Sequence, residues 1–278
     1  MSFKDILVHV DATPASRNRL QLALTLAHRF GARLSGLHVI PDPSVPPYFK
    51  PSAIERIAKI YAENAREAAD RAEALFREET KDASAVVGWE CIAGEMEERI
   101  AERARFADLL LLGQFDTENP HGISAFLLPA KVVFGAASPI LVVPNAGRFG
   151  DIGRRIVATW DGSREAARAI RDAMPLLKRA EQVLLLAVDL VRQGHMHDGA
   201  DASQLAAHLG RHGVQVVVEE ISSGKTSVTD TLLTQAAEFG ADLLVMGAYG
   251  HSRIWEFVVG GTTPEVLERA QIPVLISR

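Results

Sequence analysis

Four glycines follow an apolar run near the end of the sequence. The run 243–246 ends at Gly247, Gly250 comes three residues later, and Gly260 and Gly261 follow after nine more residues. Glycine lets the main chain approach a ligand without a Cβ in the way. The unpaired N–H groups at a helix N-terminus, together with the helix dipole, favour an anion. This stretch therefore predicts the phosphate-holding end of a nucleotide site.

Strand-like and helix-like segments alternate along the whole sequence, and their order occurs twice. Strands that are apolar on both faces and alternate with helices are typical of a parallel sheet covered by helices on each side. The polar, glycine-containing segment 145–153 reads as a linker, so we expect one domain at 1–145 and a second at 154–278. The strand-like runs are 6–10, 34–39, 86–92, 109–112 and 138–144, then 155–161, 183–188, 214–220, 243–247 and 272–276.

An acidic residue ends the first strand of each copy, at Asp11 and at Asp161. In open parallel sheets, ligands bind beyond the carboxyl ends of the strands, where the strand order reverses. We therefore expect Asp161 and Gly247 to face each other across one crevice. A carboxylate there can accept hydrogen bonds from ribose hydroxyls or from the adenine amine.

The glycine spacing closely resembles the ATP-binding signature of the universal stress protein family. The segments 160–163 and 272–275, and Met246 before the first glycine, also look like this family. The resemblance covers the chain as two tandem copies, specific in the second and weak in the first. It implies a flavodoxin-like, Rossmann-like α/β fold with two five-stranded parallel sheets of order 3-2-1-4-5 and helices on both faces. It also implies that the copies pair through their last strands as an intramolecular pseudo-dimer, which could dimerise further.

The resemblance assigns the adenosine end of the site to the first, second and fourth strands of the second copy. It places Asp161 by the adenosine and Val188, at the end of the second strand, against adenine. Met246 and Gly247 would lie behind the base and the ribose.

The phosphate end departs from the family pattern at one position. Gly261 stands where the family has serine or threonine, so a hydroxyl ligand for phosphate or magnesium is lost. Thr262 or Thr263 would replace that hydroxyl, or would cap the following helix. His251 and Arg253 are either phosphate partners or part of a solvated loop. The residues placed at the phosphates are Gly250, Gly260, Gly261 and Thr262, with His251 and Arg253 beside them.

The first copy departs much further from the signature. Aligned on Gly113, it carries Asp116 at the second glycine and Phe126 and Leu127 at the later pair. A carboxylate would face the phosphates, and bulky side chains replace bare backbone. We expect no ATP in this copy.

Composition excludes several classes of protein. The 278 residues carry a net charge of −5 with a pI near 6.0, which gives no electrostatic footprint for nucleic acid or an anionic membrane. No apolar run approaches the roughly 20 residues that span a bilayer, and the N-terminus lacks a signal-peptide pattern. Cys91 cannot form an intramolecular disulfide and reads as a buried strand thiol. These features favour a cytoplasmic protein.

Other motifs fit structural tasks better than catalysis. Ser163 is not in a hydrolase nucleophile elbow and would cap a helix. His195 and His197, with Asp201, lack the further ligands of a defined metal site.

Our leading hypothesis is a tandem universal stress protein that binds ATP, with magnesium, in its second copy. It would be regulatory or protective, with slow ATP hydrolysis at most. Its first copy would serve as a structural partner, or as a surface for another protein or a different small ligand. The alternatives are an interaction module without nucleotide and, less well supported, a nucleotidyltransferase-like enzyme.

Overall fold

The chain builds one ten-stranded sheet with helices on both faces. The computed structural model describes residues 2–42, 51–114, 128–190, 201–249 and 261–278. The elements of the first copy are β1 (Asp5–His9), α1 (Ala15–Phe30), β2 (Arg33–Ile40), α2 (Pro51–Thr80), β3 (Val87–Ala93), α3 (Met96–Ala104), β4 (Leu109–Gly113), α4 (Leu128–Gly135) and β5 (Ile140–Val143). Those of the second copy are β6 (Arg155–Thr159), α5 (Arg164–Asp172), α6 (Met174–Leu177), β7 (Gln182–Val188), α7 (Ala202–Arg211), β8 (Val216–Ile221), α8 (Val228–Phe239), β9 (Leu243–Gly247), α9 (Thr262–Arg269) and β10 (Val274–Ser277).

The strand order within each copy is the predicted one. The sheet runs β3-β2-β1-β4-β5 and then β10-β9-β6-β7-β8, which is the order 3-2-1-4-5 in both copies. All strand pairs within a copy are parallel.

The prediction that the copies pair through their last strands is confirmed, whereas the prediction of two five-stranded sheets is wrong. The last strands β5 and β10 pair antiparallel, with Leu141 opposite Leu275, and this ladder joins the copies into a single sheet of ten strands. Every residue of both strands is buried. Because an open edge would leave backbone N–H and C=O groups unpaired, mutual pairing of these two apolar edges satisfies both copies at once.

Two apolar layers form the core, one on each face of the sheet. Parallel strands lie between helices, so side chains on both faces are buried, as all four leucines 109–112 are. Leu111 belongs to the layer beneath α1 and Leu112 to the opposite layer. Both layers include residues of both copies. The core is therefore continuous across the junction, and it fixes the crevices at the carboxyl ends of the strands.

Local sequence explains where several helices begin and end. The helical segment after β6 divides at Ala173 into α5 and α6, because Pro175 at the start of α6 has no N–H to continue the first helix. The side chain of Ser163 accepts a hydrogen bond from Ala166 N at 3.0 Å, which confirms its predicted capping role. α1 ends at Gly31 with φ 60°, a left-handed geometry that favours glycine.

Two findings concern the surface. Cys91 lies on β3, an edge strand of the sheet, and is exposed, so the prediction of a buried thiol is wrong. None of the helices in the described ranges is long and apolar enough to cross a membrane.

Candidate functional site

The candidate site lies at the carboxyl ends of β6, β7 and β9. β6 is paired with β7 on one side and β9 on the other, so the strand order reverses here. Ala158 of β6 lies opposite Val245 of β9. This register brings Asp161, just beyond β6, and Gly247, the last residue of β9, to the same edge of the sheet.

Asp161 is half-buried at the turn between β6 and α5. Its Oδ1 accepts a hydrogen bond from the Ser163 N–H at 2.9 Å. The Ser163 hydroxyl in turn accepts from Ala166 N. The turn thus fixes both the carboxylate and the first residues of α5.

At Gly247 the backbone of α5 lies close against the sheet. A Cβ added there would lie 2.5 Å from Ala166 N and 2.7 Å from the carbonyl carbon of Glu165. Both atoms are backbone, so no side-chain rotation could make room. The glycine is required by the close approach of strand and helix.

An apolar wall flanks the crevice. Val188 at the end of β7 is 8% exposed and Met246 on β9 is 4% exposed. Both belong to the same core layer. These are the two side chains expected against a base, and they lie on the two strands that flank β6.

Asp189, which the sequence analysis missed, fixes the end of β7 to the loop after β8. It adopts φ 56°, an uncommon conformation for a residue other than glycine. Its carboxylate accepts hydrogen bonds from Ser222 Oγ at 3.1 Å, from Ser223 N at 3.1 Å and from Ser223 Oγ. Asp189 directly follows Val188, the predicted base-contacting residue. Its hydrogen bonds therefore connect the ends of β7 and β8 beside the crevice.

The helix that follows the glycine loop, α9, begins without a side-chain cap. Gly261 precedes it in an extended conformation, and neither Thr262 nor Thr263 caps the first turn. Three other helices of this copy have side-chain caps, from Ser163, Asp201 and Ser227. The first N–H groups of α9 therefore have no side-chain acceptor among the described residues, which suits an anion. The predicted residues Gly250, His251, Arg253 and Gly260 lie outside the described residues, as do Asp116, Phe126 and Leu127 of the first copy.

In the first copy an arginine occupies the equivalent crevice. Arg19 on α1 is only 2% exposed. Its Nη2 donates to Asp11 Oδ2 at 2.7 Å and to Ser16 Oγ at 3.2 Å, and its Nε donates to the His9 carbonyl at 2.8 Å. A Cβ added at Gly113 would collide with Arg19 Nη1. In the first copy, the missing side chain of Gly113 leaves room for the Arg19 guanidinium. In the second copy, the missing side chain of Gly247 leaves room for the backbone of α5.

Three basic side chains of the first copy replace small residues of the second. His9 and His38 are buried beside Arg19, with parallel rings whose centroids are 6.5 Å apart. His38 Nδ1 lies 2.8 Å from the Val10 carbonyl, whereas His9 Nε2 has no hydrogen-bond partner among the described residues. Aligned on the two aspartates and on the strand registers, the pairs are His9 and Thr159, Arg19 and Ala169, and His38 and Ala187.

Burial and charge set the protonation of this cluster. Burial, with smaller effects of Arg19 and His38, lowers the pKa of His9 to about 3, although Asp11 opposes the shift. Burial alone raises the pKa of Asp11, but the Arg19 guanidinium, His9 and the Thr13 hydrogen bonds outweigh it and hold that pKa well below its usual range. The cluster is thus a neutral imidazole beside a closed ion pair.

The described residues contain no group of three histidine, cysteine or acidic side chains able to hold a metal ion. Asp201 instead caps α7, since its carboxylate accepts from Ser203 N at 2.8 Å. His195 and His197 lie outside the described residues.

The sequence matches the model of the universal stress protein family twice, over residues 2–144 and 153–278. The chain belongs to this family. It carries the family domain in tandem, which confirms the resemblance that the glycine spacing indicated.

Individual relatives agree with this assignment. A universal stress protein from Synechocystis sp. is 60% identical over 155 residues, which cover 53% of this chain and 50% of that protein; the match therefore spans about half the length of that relative. A universal stress protein structure from Archaeoglobus fulgidus DSM 4304 superposes with a TM-score of 0.69 at 18% identity, covering 99% of this chain and 96% of that one. This likeness shows the shared fold. A universal stress protein solved in complex with cAMP matches 52% of this chain and 100% of its own, with 22% identity and a TM-score of 0.32.

Proposed function

We propose that this universal stress protein binds ATP, with magnesium, in the crevice of its second copy. In this proposal it is a cytoplasmic regulatory or protective protein whose domains are 1–145 and 154–278. The observation that carries the proposal is the start of α9, where bare Gly261 leads into a helix without a side-chain cap. That uncapped helix follows the strand whose last residue, Gly247, lies at the same edge as Asp161.

The adenosine end has the chemistry that a nucleoside needs. Asp161 offers carboxylate oxygens to ribose hydroxyls or to an exocyclic amine. Val188 and Met246 offer apolar surface to the flat faces of a base, and adenine is mostly apolar on those faces. A small number of fixed polar groups within an apolar wall is the usual composition of a ligand pocket.

The phosphate end relies on backbone groups and the helix dipole. The N–H groups that open α9 would donate to phosphate oxygens, and the positive end of the dipole would favour their charge. Gly250 and Gly260 would extend this backbone cradle, with His251 and Arg253 beside it. Because Gly261 brings no hydroxyl, Thr262 is the residue that would supply one to phosphate or magnesium.

The first copy should not take a second nucleotide. Arg19, His9 and His38 are buried where the second copy has alanine or threonine. The carboxylate of Asp11 is already paired with Arg19. We therefore expect one equivalent of nucleotide per chain.

Isothermal titration of the full chain with ATP and magnesium tests this proposal. Asp161→Asn removes the carboxylate charge, keeps an oxygen for the Ser163 N–H, and should weaken binding about tenfold, the effect of one charged hydrogen bond. Asp11→Asn is the matched control in the first copy and should leave the affinity and stoichiometry unchanged. Two equivalents per chain, or equal losses in both variants, would contradict the proposed asymmetry. Absence of saturable binding by folded wild type would refute nucleotide binding.

The second candidate function is an interaction module without nucleotide. The observation that favours it is Gly261, because the family pattern has a hydroxyl there. Mass spectrometry of the purified protein separates the two, since a retained adenine nucleotide excludes an empty module. Phosphate release in the same ATP titration measures any slow hydrolysis.

A further inference from the structure

A glutamine of the first copy holds the C-terminus of α9 in the second copy. Gln114 directly follows β4. Its Nε2 lies 2.9 Å from the Leu267 carbonyl, 2.7 Å from the Glu268 carbonyl and 3.2 Å from the Ala270 carbonyl. Its Oε1 accepts from Asn145 N at 3.3 Å. One side-chain amide therefore connects the two copies at the end of a helix.

The Gln114 amide donates hydrogen bonds to carbonyls at the end of α9, where the helix has no N–H groups of its own to offer. The last four C=O groups of an α-helix have no partner within the helix, and this end carries the negative end of the dipole. A primary amide has two N–H donors, which three converging carbonyls share here. Gln114 thus completes α9 from outside its own copy.

α9 is short, so its two ends are mechanically linked. The helix has eight residues and is about 12 Å long at 1.5 Å per residue. Its other end begins with Gly261 and Thr262, the proposed anion-binding end. Because the helix is so short, a displacement of its C-terminus would also tilt its N-terminal end.

A second contact reaches the other flank of the glycine loop. The Tyr249 ring, two residues beyond Gly247, lies 5.2 Å from the Phe134 ring of α4, centroid to centroid. The Arg278 guanidinium lies 4.0 Å from the same Phe134 ring. Tyr249 has φ 58°, so its backbone is held in an uncommon conformation. First-copy residues therefore contact the chain on both sides of the predicted phosphate loop.

The Gln114 contact is not reciprocal. When the copies are aligned on Gly113 and Gly247, the counterpart of Gln114 is Ala248. Alanine has no side-chain donor for the carbonyls at the end of a helix. This amide contact is therefore made in one direction, from the first copy to α9 of the second.

We propose that the first copy is a positioning partner for the nucleotide site of the second, acting through Gln114 on α9 and through Phe134 on Tyr249. Gln114 is a positioning residue: it touches α9, and α9 presents the backbone that would bind phosphate. The part of this inference that concerns ATP affinity rests on the proposed function.

Three substitutions at Gln114 test it in the full chain. Gln114→Ala removes all the side-chain contacts. Gln114→Glu keeps the acceptor for Asn145 but has no donors, and Gln114→Lys keeps donors for the helix carbonyls but not the acceptor. Asn18→Ala is the matched control, because the Asn18 amide also donates to a backbone carbonyl, that of Gly147 at 2.9 Å, far along the chain from α9. The measurements are hydrogen exchange of the α9 amides without nucleotide and the Kd for ATP with magnesium.

We expect faster exchange in α9 and a three- to tenfold higher Kd, about the range that one or two lost hydrogen bonds permit, for the alanine and glutamate variants. The lysine variant should stay near wild type, as should Asn18→Ala. If the glutamate variant behaves as wild type and the lysine variant fails, the role of Gln114 is to bind Asn145 and the inference is overturned. Equal exchange in all variants also overturns it. If wild type binds no ATP, the proposed function is refuted, and the exchange series then decides alone whether Gln114 positions α9.

Discussion

Replacing Gly247 by alanine should force α5 away from the sheet. The added Cβ would lie 2.5 Å from Ala166 N and 3.0 Å from Ala166 Cα, whereas heavy atoms in contact stay about 3.5 to 4.0 Å apart. The helix would have to retreat by about 1 Å, because the obstructing atoms are backbone. Ala166 N is also the group that the Ser163 hydroxyl caps, so the displacement strains the cap as well.

The expected loss of stability combines two contributions, overpacking of the core and strain of the helix cap. Overpacking a well-packed core costs about 1 to 3 kcal/mol, and loss of a serine cap costs about 1 kcal/mol. Alanine is more favourable than glycine inside a strand by about 0.5 to 1 kcal/mol, which offsets part of the loss. We expect Gly247→Ala to lower the free energy of unfolding by about 2 kcal/mol.

Urea unfolding of wild type and variant, compared at equal m-values, measures this change. The control is Gly210→Ala on α7, where an added Cβ meets no atom within 4 Å. Since alanine is the better helix former, this control should gain up to about 1 kcal/mol. The same glycine-to-alanine substitution should therefore lower the free energy of unfolding at Gly247 and raise it at Gly210. A Gly247→Ala variant within about 0.5 kcal/mol of wild type, the usual range of surface substitutions, would refute the packing argument.

Two further predictions concern the cluster of the first copy. The pKa of His9 is about 3 in the folded chain against an ordinary 6.5. Between these values only the unfolded chain takes up the proton. As the pH falls from 6.5 toward 4, the free energy of unfolding should therefore fall by up to about 1.4 kcal/mol per pH unit. His9→Gln should flatten this slope in urea titrations at pH 7 and pH 5, and an unchanged slope would contradict the assignment. Arg19→Met should destabilise the chain by about 2 kcal/mol, less than the roughly 3 to 5 kcal/mol for a fully buried ion pair, because the Asp11 side chain is 25% exposed. Adding Asp11→Asn should restore part of this loss, whereas strictly additive losses would show that the two residues are not coupled.

Much of the fold could be predicted from the sequence because buried parallel strands are apolar throughout. Runs such as 109–112 and 243–246 have no polar residue, and glycines and prolines mark their ends. The strand order 3-2-1-4-5 was implied by the family resemblance, and the internal repeat extended it to both copies. The pairing of the two copies through their last strands was implied only by the family resemblance, and the single sheet of ten strands that results was not predicted. No local pattern distinguishes a paired edge strand from a covered one.

Arg19 and Gln114 were both missed, for different physical reasons. Arg19 reads as a surface residue of an amphipathic helix, although it lies three residues after Ser16 and four before Ala23, both buried. That spacing was an available signal. Gln114 carried no signal, since its partners are carbonyls more than 150 positions away, and backbone carbonyls are the same in every sequence.

The two glycines at the ends of β4 and β9 show why one motif residue can have two tasks. Both end the fourth strand of their copy, and sequence alone treats them alike. At Gly113 the missing side chain admits the guanidinium that closes the first crevice on Asp11. At Gly247 it admits the backbone of α5, because the residue aligned with Arg19 is Ala169, which is too small to reach the sheet. The difference between the copies therefore originates on the helix after the first strand rather than in the glycine itself. A charged side chain at that helical position gives the aspartate an internal partner, and a small one lets the helix close on the strand.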